Sequence, residues 1–245
     1  MGIQERKERE RGARREEIIS AAEAVFFEKG LALSTVDEIA EKAELSKGTI
    51  YLYYKSKEDL FVEVAYRGME ILSGMFKRAV GPEQPTMKRI AGLGDAYLAF
   101  FKQHREYFRM MNLFDNPSLM AQVSPDVRQK CTESERRLWD LVIGLIRLGI
   151  EEGLLHRDLD PVEVGVMLWS NSNGLMRLMD RSSSYWSDVM HLDLEQMLGK
   201  SNALLVEGMM TDRAKELFPP FTMFYHRTDN EPPQPGRRAG GEEQQ

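Results

Sequence analysis

Between Thr35 and Leu60 the chain reads TVDEIAEKAELSKGTIYLYYKSKEDL, which sets three helix starts and one tight turn within barely two helix lengths. Thr35 sits three residues before Glu38, Ser46 precedes Lys47-Gly48-Thr49, and Ser56 sits three before Asp59. In each place a hydroxyl can accept from an orphan N–H of a first helical turn, and Glu38 and Asp59 can reach back to close a capping box. The middle helix is too short to fold alone and carries Lys47, Thr49, Tyr51, Tyr53 and Tyr54. A short tyrosine-rich helix, held by a neighbour across a tight turn, has the form of the second helix of a helix-turn-helix.

Composition narrows what this unit is attached to. With 245 residues, 42% of them hydrophobic, the chain can bury a sizeable core. A net charge of −6 argues against nucleic-acid binding over the whole surface but leaves room for a local basic face. The single cysteine, Cys131, excludes an internal disulfide framework. No apolar run approaches a membrane span, and the charged start MGIQERKERERGARREE lacks an apolar signal region. A cytoplasmic protein is expected.

Outward from the opening stretch the periodicity is helical. Ile18, Ala22, Val25 and Phe26 fall on one face of a helix expected over about 14–29, with Gly30 as its stop. Val36, Ile39, Ala40 and Ala43 face inward from the second helix. Lys57 to Val80 forms a long fourth helix with Leu60, Phe61, Val64, Ala65, Leu72 and Phe76 on its apolar side. The pattern repeats over about 87–103, 105–114, 126–152, 161–180 and 194–210, with SSSYWSD read as a polar connection. No alternating run asks for a strand. The fold class is therefore all-α: an N-terminal three-helix helix-turn-helix domain joined by a long helix to an all-helical domain. The expected division is a flexible charged arm over 1–12, the helix-turn-helix domain over 13–56, the linking helix over 57–80, the helical C-terminal domain over 81–226, and a disordered tail over 227–245. Arg6, Lys7, Arg9 and Arg11 in the arm suit either plain solvation or a phosphate backbone. Phe221, Met223, Phe224 and Tyr225 form a last apolar patch that could dock on the domain.

FFEKG at the end of the first helix, the capped TVDEIAEKA and the following SKGTIYLYYKSKEDLF resemble, in order and spacing, the DNA-binding domain of the TetR/AcrR family of bacterial transcription regulators. The likeness covers about residues 14–61. The C-terminal helices fit the family's architecture but would not by themselves name it. Glu44 departs from the pattern, standing where many members have glycine, and a left-handed turn residue other than glycine costs on the order of 1 kcal/mol. The resemblance implies a ligand-responsive transcriptional regulator, most often a repressor, that binds a palindromic operator in double-stranded DNA as a homodimer. It also implies that the helices over about 161–180 and 194–210 pair with their mates in a four-helix interface. It sets Tyr51 and Tyr53 at positions that commonly face DNA, and Thr35, Lys55 and Lys57 at phosphate-contacting ones. In a major groove Lys47 reaches guanine O6/N7 or a phosphate, Thr49 and Tyr51 offer hydroxyls and apolar contact to thymine methyls, and Gly48 permits close approach. With Ser46, these nine positions are the candidate DNA-binding set. Packing on the first and fourth helices is the competing reading for Ile50, Leu52 and part of the tyrosine cluster, and the preferred one for Ile50 and Tyr54.

Met110, Met111, Met120, Met167, Met176, Met179, Met190 and Met197 give the C-terminal domain an adaptable apolar character. That suits a pocket for a hydrophobic or aromatic ligand, although any one methionine also serves as ordinary core filler. The candidate pocket residues are Tyr97, Phe101, Phe108, Met111, Trp139, Trp169, Asn173 and Arg177. Asn173 and Arg177, one helical turn apart, could hold a ligand's polar end or bond across an interface. No catalytic set emerges: His104, His156, His191 and His226 are scattered, and neither a phosphate-binding glycine loop nor a serine nucleophile elbow is present. No enzyme, cofactor, metal or membrane partner is expected. The alternative is a helical small-molecule or protein-binding module whose helix-turn-helix no longer reads DNA; Lys47, Lys55, Lys57 and the tyrosines argue against it.

Overall fold

Three hydroxyl caps divide the N-terminal chain into helices. The computed structural model describes residues 2–114 and 116–218. In it Thr35, Ser46 and Ser56 each accept from the backbone N–H three residues on, at 3.2, 3.1 and 3.0 Å. They start α2 (Val36–Lys42), α3 (Lys47–Tyr53) and α4 (Lys57–Ala79). At α2 the Glu38 carboxylate accepts from the Thr35 N–H at 2.9 Å, closing the capping box. The α2–α3 turn runs through Glu44 at φ 55°, in the left-handed region, and Leu45 N–H donates to Ala40 O. Ile18, Ala22, Val25, Phe26, Ile39, Ile50, Tyr54, Leu60 and Phe61 are all buried, with Phe26 and Phe61 edge to face at 5.3 Å.

One expectation about the first helix changes and one holds. Helix α1 spans Ile3–Leu33, so the segment expected as an arm over 1–12 is helical from Ile3. It has no apolar stripe; the Arg6–Glu10 ion pair, one turn apart, supports it instead, and Arg14–Glu17 follows just beyond it. At the other end Gly30 (φ 71°) breaks the helical path and leaves Leu31–Leu33 as a separate turn. Only glycine takes that conformation freely.

The remaining helices are α5 (Thr86–Gln103), α6 (Arg105–Met111), α7 (Pro117–Met120), α8 (Pro125–Glu151), α9 (Pro161–Ser184), α10 (Leu194–Met209) and α11 (Asp212–Leu217). Among the described residues no strand forms; Leu155 and Met210 make an isolated antiparallel bridge. The fold is all-α. The SSSYWSD stretch is not a connection: α9 runs through Ser184 and passes into a π-helical segment, Tyr185–Val189. Serines hold a middling helix propensity, and neither glycine nor proline interrupts them. The break falls later, where His191 takes φ 50° and Asp193 caps α10. Helix α11, not expected, buries a single apolar residue, Ala214, and so shows no sequence period; Thr211 caps it and donates to Gly153 O. Phe221, Met223, Phe224, Tyr225 and the expected tail lie outside the described residues.

The strain at Glu44 is testable. Glu44→Gly relieves the left-handed penalty but adds freedom to the unfolded chain. The expected net gain in unfolding free energy by urea titration is under about 1 kcal/mol, and a loss would mean that the Glu44 side chain itself stabilises the turn.

Candidate nucleic-acid interface and ligand cavity

The chain turns α3 outward by packing its opposite face. Ile50 is fully buried and Tyr54 nearly so, while Lys47, Gly48, Tyr51 and Leu52 lie exposed. Leu52, for which packing was a competing reading, leaves 78% of its surface in solvent, and Tyr51 leaves 47%. Lys47, Gly48 and Tyr51 share one face by helical spacing. The Lys47 ammonium reaches Asp37 on α2 at 2.7 Å, and that hydrogen bond raises its pKa. Ser46 and Thr49 hydroxyls lie 2.8 Å apart at the start of α3, and Thr35 is exposed at the start of α2.

The other candidate contacts divide. Tyr53 is half-buried against the core. Lys55 is exposed, with Asp126 of α8 at 3.6 Å. Lys57 is half-buried, and its ammonium donates to Leu31 O at 2.7 Å and Ser34 O at 2.9 Å. Unpaired carbonyls past the end of a helix attract a cation, and Lys57 answers them across the α1–α2 junction. An ammonium has a third N–H to offer beyond these two.

A cavity of about 390 Å³ opens among α4, α5, α6, α8, α9 and α10. Tyr97, Phe108, Met111, Trp139, Trp169 and Asn173 line it; Phe101 and Arg177 do not. Phe101 packs against Phe108 at 4.9 Å and under the Arg105 guanidinium, so it sits behind the wall. Arg177 lies one turn beyond the cavity's end on α9. Of the eight methionines singled out only Met111 reaches the cavity. Met110 and Met176 are buried in the core, and Met167, Met190 and Met197 are exposed. Sequence reasoning missed Met69, Leu72 and Phe76, on a helix read only for its core face, and the polar Asn112, Ser172 and Asn202. Single asparagines carry no periodic signal that could have found them.

The wall helix α6 is clamped at both ends. Arg105 and Arg109 bind Asp180 of α9 at 2.6 and 2.9 Å. Burial would raise the Asp180 pKa, but hydrogen bonds from Arg109 and Arg105 outweigh it and hold the carboxyl below its ordinary range. The clamp is therefore complete at neutral pH and is lost as pH falls through that lowered pKa. On the far side Tyr107 donates to Glu23 of α1, which also accepts from Arg67 of α4. Gly68 makes room for that tyrosine; a Cβ there would lie 2.7 Å from it.

Asp59 connects the two regions. Its carboxylate is 1% exposed and accepts from Lys55 N–H at 3.2 Å and from Ser124 N–H, before α8, at 2.7 Å. Below it Val62, Met69, Val123 and Cys131 form a small core, against which Met111 and Phe114 pack. Burial pushes the Cys131 thiol up to about 12, with Glu135 and Glu63 adding to the rise, so it stays protonated and inert. Among the described residues no cluster of His, Cys, Asp or Glu could hold a metal ion, and no helix is long and apolar enough to cross a membrane.

A capped helix-turn-helix on an all-helical body defines a DNA-binding transcription regulator. Residues 18–64 match the model of the bacterial regulatory proteins of the tetR family. The uncharacterized HTH-type transcriptional regulator YdeS of Bacillus subtilis is 30% identical over 151 residues, covering 62% of this chain and 71% of that one. The HTH-type transcriptional repressor KstR2 of Mycobacterium tuberculosis is 26% identical over 150 residues, covering 60% and 72%. A structure of the transcriptional regulator FadR from Bacillus subtilis in complex with stearoyl-CoA shares the fold, with a TM-score of 0.59 at 22% identity over 79% of this chain and 98% of that one. The chain belongs to the TetR family of bacterial regulators.

Asp59→Ala removes the acceptor of two backbone N–H groups at once. The expected cost is about 2–3 kcal/mol in unfolding free energy, read by urea denaturation, with Asp59→Asn losing less because it keeps one acceptor oxygen. Unchanged stability in Asp59→Ala would mean that the bridge to Ser124 contributes nothing.

Proposed function

We propose that the chain is a homodimeric repressor that binds a palindromic operator and is released by a small, largely apolar molecule held in the cavity. The observation that carries the DNA-reading half is Gly48. Glycine in a helix costs about 1 kcal/mol against alanine. Yet a Cβ at this position would meet only Ser46 Oγ, at 3.7 Å. Nothing inside the protein asks for glycine there, whereas a phosphate or base edge pressed against the start of α3 does. Lys47 and Tyr51 share that face, and the nine candidate positions are proposed as the DNA-binding set, Lys57 through its third N–H.

The outer face of α9 and α10 supports the dimer. Met167, Leu178 and Tyr185 are exposed there, as are Met197 and Leu204. With Gly174 and Gly208 they recur at seam-like spacing, and a Cβ at either glycine would meet nothing within 4 Å. An open apolar stripe with glycine gaps suits a partner helix. One short helix reads too few base pairs, and two α3 helices about 34 Å apart match successive major grooves.

On this reading 13–56 is the reader, 57–80 the link and 81–226 the effector and dimerisation region. Met69, Leu72 and Phe76 of α4 line the cavity, so an occupant presses on the helix that carries the reader. It shifts the protein between conformers only by its differential affinity for them. The repressor named among the relatives supports the sign of the response, and the stearoyl-CoA complex of FadR supports only that this fold takes up a small-molecule effector.

Mobility-shift titration on DNA selected by the unaltered chain tests this. Tyr51→Ala and Gly48→Ala are each expected to lower affinity at least about tenfold, roughly 1.4 kcal/mol, with helicity and dimer mass unchanged. Leu178→Glu combined with Leu204→Glu is expected to give folded monomers in ultracentrifugation and to abolish operator binding. Full affinity in Tyr51→Ala would remove α3 from the reading role and favour the module that no longer reads DNA.

A further inference from the structure

The polar equipment of the cavity is neutral. Among the described lining residues the one formal charge is Glu135, an exposed carboxylate on α8, and no Lys, Arg or His takes part. The polar atoms include a relay. Tyr97 Oη donates to Asn173 Oδ1 at 3.0 Å, Asn173 Nδ2 donates to Asn112 Oδ1 at 3.0 Å, and Asn112 Nδ2 donates to Phe108 O at 2.8 Å. Tyr97 and Asn173 are buried, at 9% and 6% exposure. Burial drives the Tyr97 phenol well above its ordinary range, against a smaller opposing effect from Trp169, so it remains a neutral donor. Each asparagine amide nitrogen carries two N–H groups, and the relay uses one of each. Ser172 and Asn202, joined by an Asn202 Nδ2–H donating to Ser172 Oγ at 3.1 Å, add a second neutral polar pair. Apart from Glu135 the other walls are mainly apolar and aromatic, with Trp139 and Trp169 edge to face at 5.9 Å.

An anion entering this space gives up its hydration and meets no counter-charge, only neutral amides and the like-charged Glu135. A carbonyl oxygen gives up far less and can accept from the amide N–H groups. We propose that the cavity selects an uncharged aromatic or alicyclic molecule with one carbonyl-type acceptor, held at Asn173 and Asn112, and discriminates against carboxylates and CoA thioesters. The inference rests on the cavity being the effector site, as proposed above. Its volume of about 390 Å³ falls within the range of small-molecule sites.

Isothermal titration of the full-length protein at neutral pH tests it with four probes: 2-acetylnaphthalene, 2-naphthoate, 2-ethylnaphthalene and stearoyl-CoA. The ketone is expected to bind at least about tenfold more tightly than the other three, and Asn173→Ala to remove its advantage over the hydrocarbon. Because Asn173 is buried, Glu135→Arg at an exposed position gives an independent check. It should raise naphthoate affinity at least about tenfold and leave the ketone unchanged. Naphthoate or stearoyl-CoA binding as tightly as the ketone, or an unaltered preference in Glu135→Arg, overturns the neutral class while leaving the cavity an effector site. No binding by any of the four overturns the cavity's role as well.

Discussion

A buried carboxylate ties the start of α4, and with it the helix-turn-helix, to the C-terminal helices. Asp59 has its own N–H capped by Ser56, accepts from Lys55 just outside the reader helix, and accepts from Ser124 at the start of α8. Without it the first turn of α4 would lose its tie to the C-terminal body. Below Asp59 the same two helices meet again through Glu63–Lys130 and Glu70–Ser134. On its other side α4 is held to α1 by Arg67, which reaches Glu16 and Glu23. A helix fixed along its length on two sides is a poor hinge. The helix-turn-helix and α4 are thus held as one unit, and in the proposed dimer a change of spacing between the two copies of α3 would arise where α4 meets the cavity.

That meeting is physical contact rather than proximity. Met69, Met111 and Phe114 line the cavity and also belong to the small core around Val62, Val123 and Cys131 that lies beside Asp59. Packed interiors deform little and instead switch between arrangements. An occupant that changes the rotamers of these three side chains changes the packing beneath the Asp59–Ser124 bond. Methionine and the end of α6 suit this role, because α6 is anchored by Asp180 on one side and by Glu23 on the other and can transmit strain to both.

What the sequence revealed was local. Caps three residues apart and apolar faces repeating every turn lie within one helix, so Thr35, Ser46, Ser56 and the buried face of α1 to α4 were legible, and with them the all-α class. Interactions between distant residues were not. Asp59 read as the member that reaches back to close a capping box, whereas its carboxylate accepts from Lys55 N–H and from Ser124 N–H, 65 residues on. The resemblance set Lys57 at a phosphate-contacting position, and nothing in the sequence shows the carbonyls of Leu31 and Ser34 that its ammonium also meets. Phe101 and Arg177 have the right chemistry for a pocket but point elsewhere, and the α4 side chains that build much of the wall looked like ordinary core.

On the proposed function, the helix-turn-helix and the cavity are one mechanical unit joined at Asp59. Hydrogen exchange of the full-length protein with and without operator DNA tests it most directly, because linkage between two sites is reciprocal. The expected result is slowed exchange over 35–57 accompanied by a change at the Ser124 amide and across 105–120, far from any DNA contact. A change confined to residues before Lys57, with Ser124 and α6 unaffected, would contradict it.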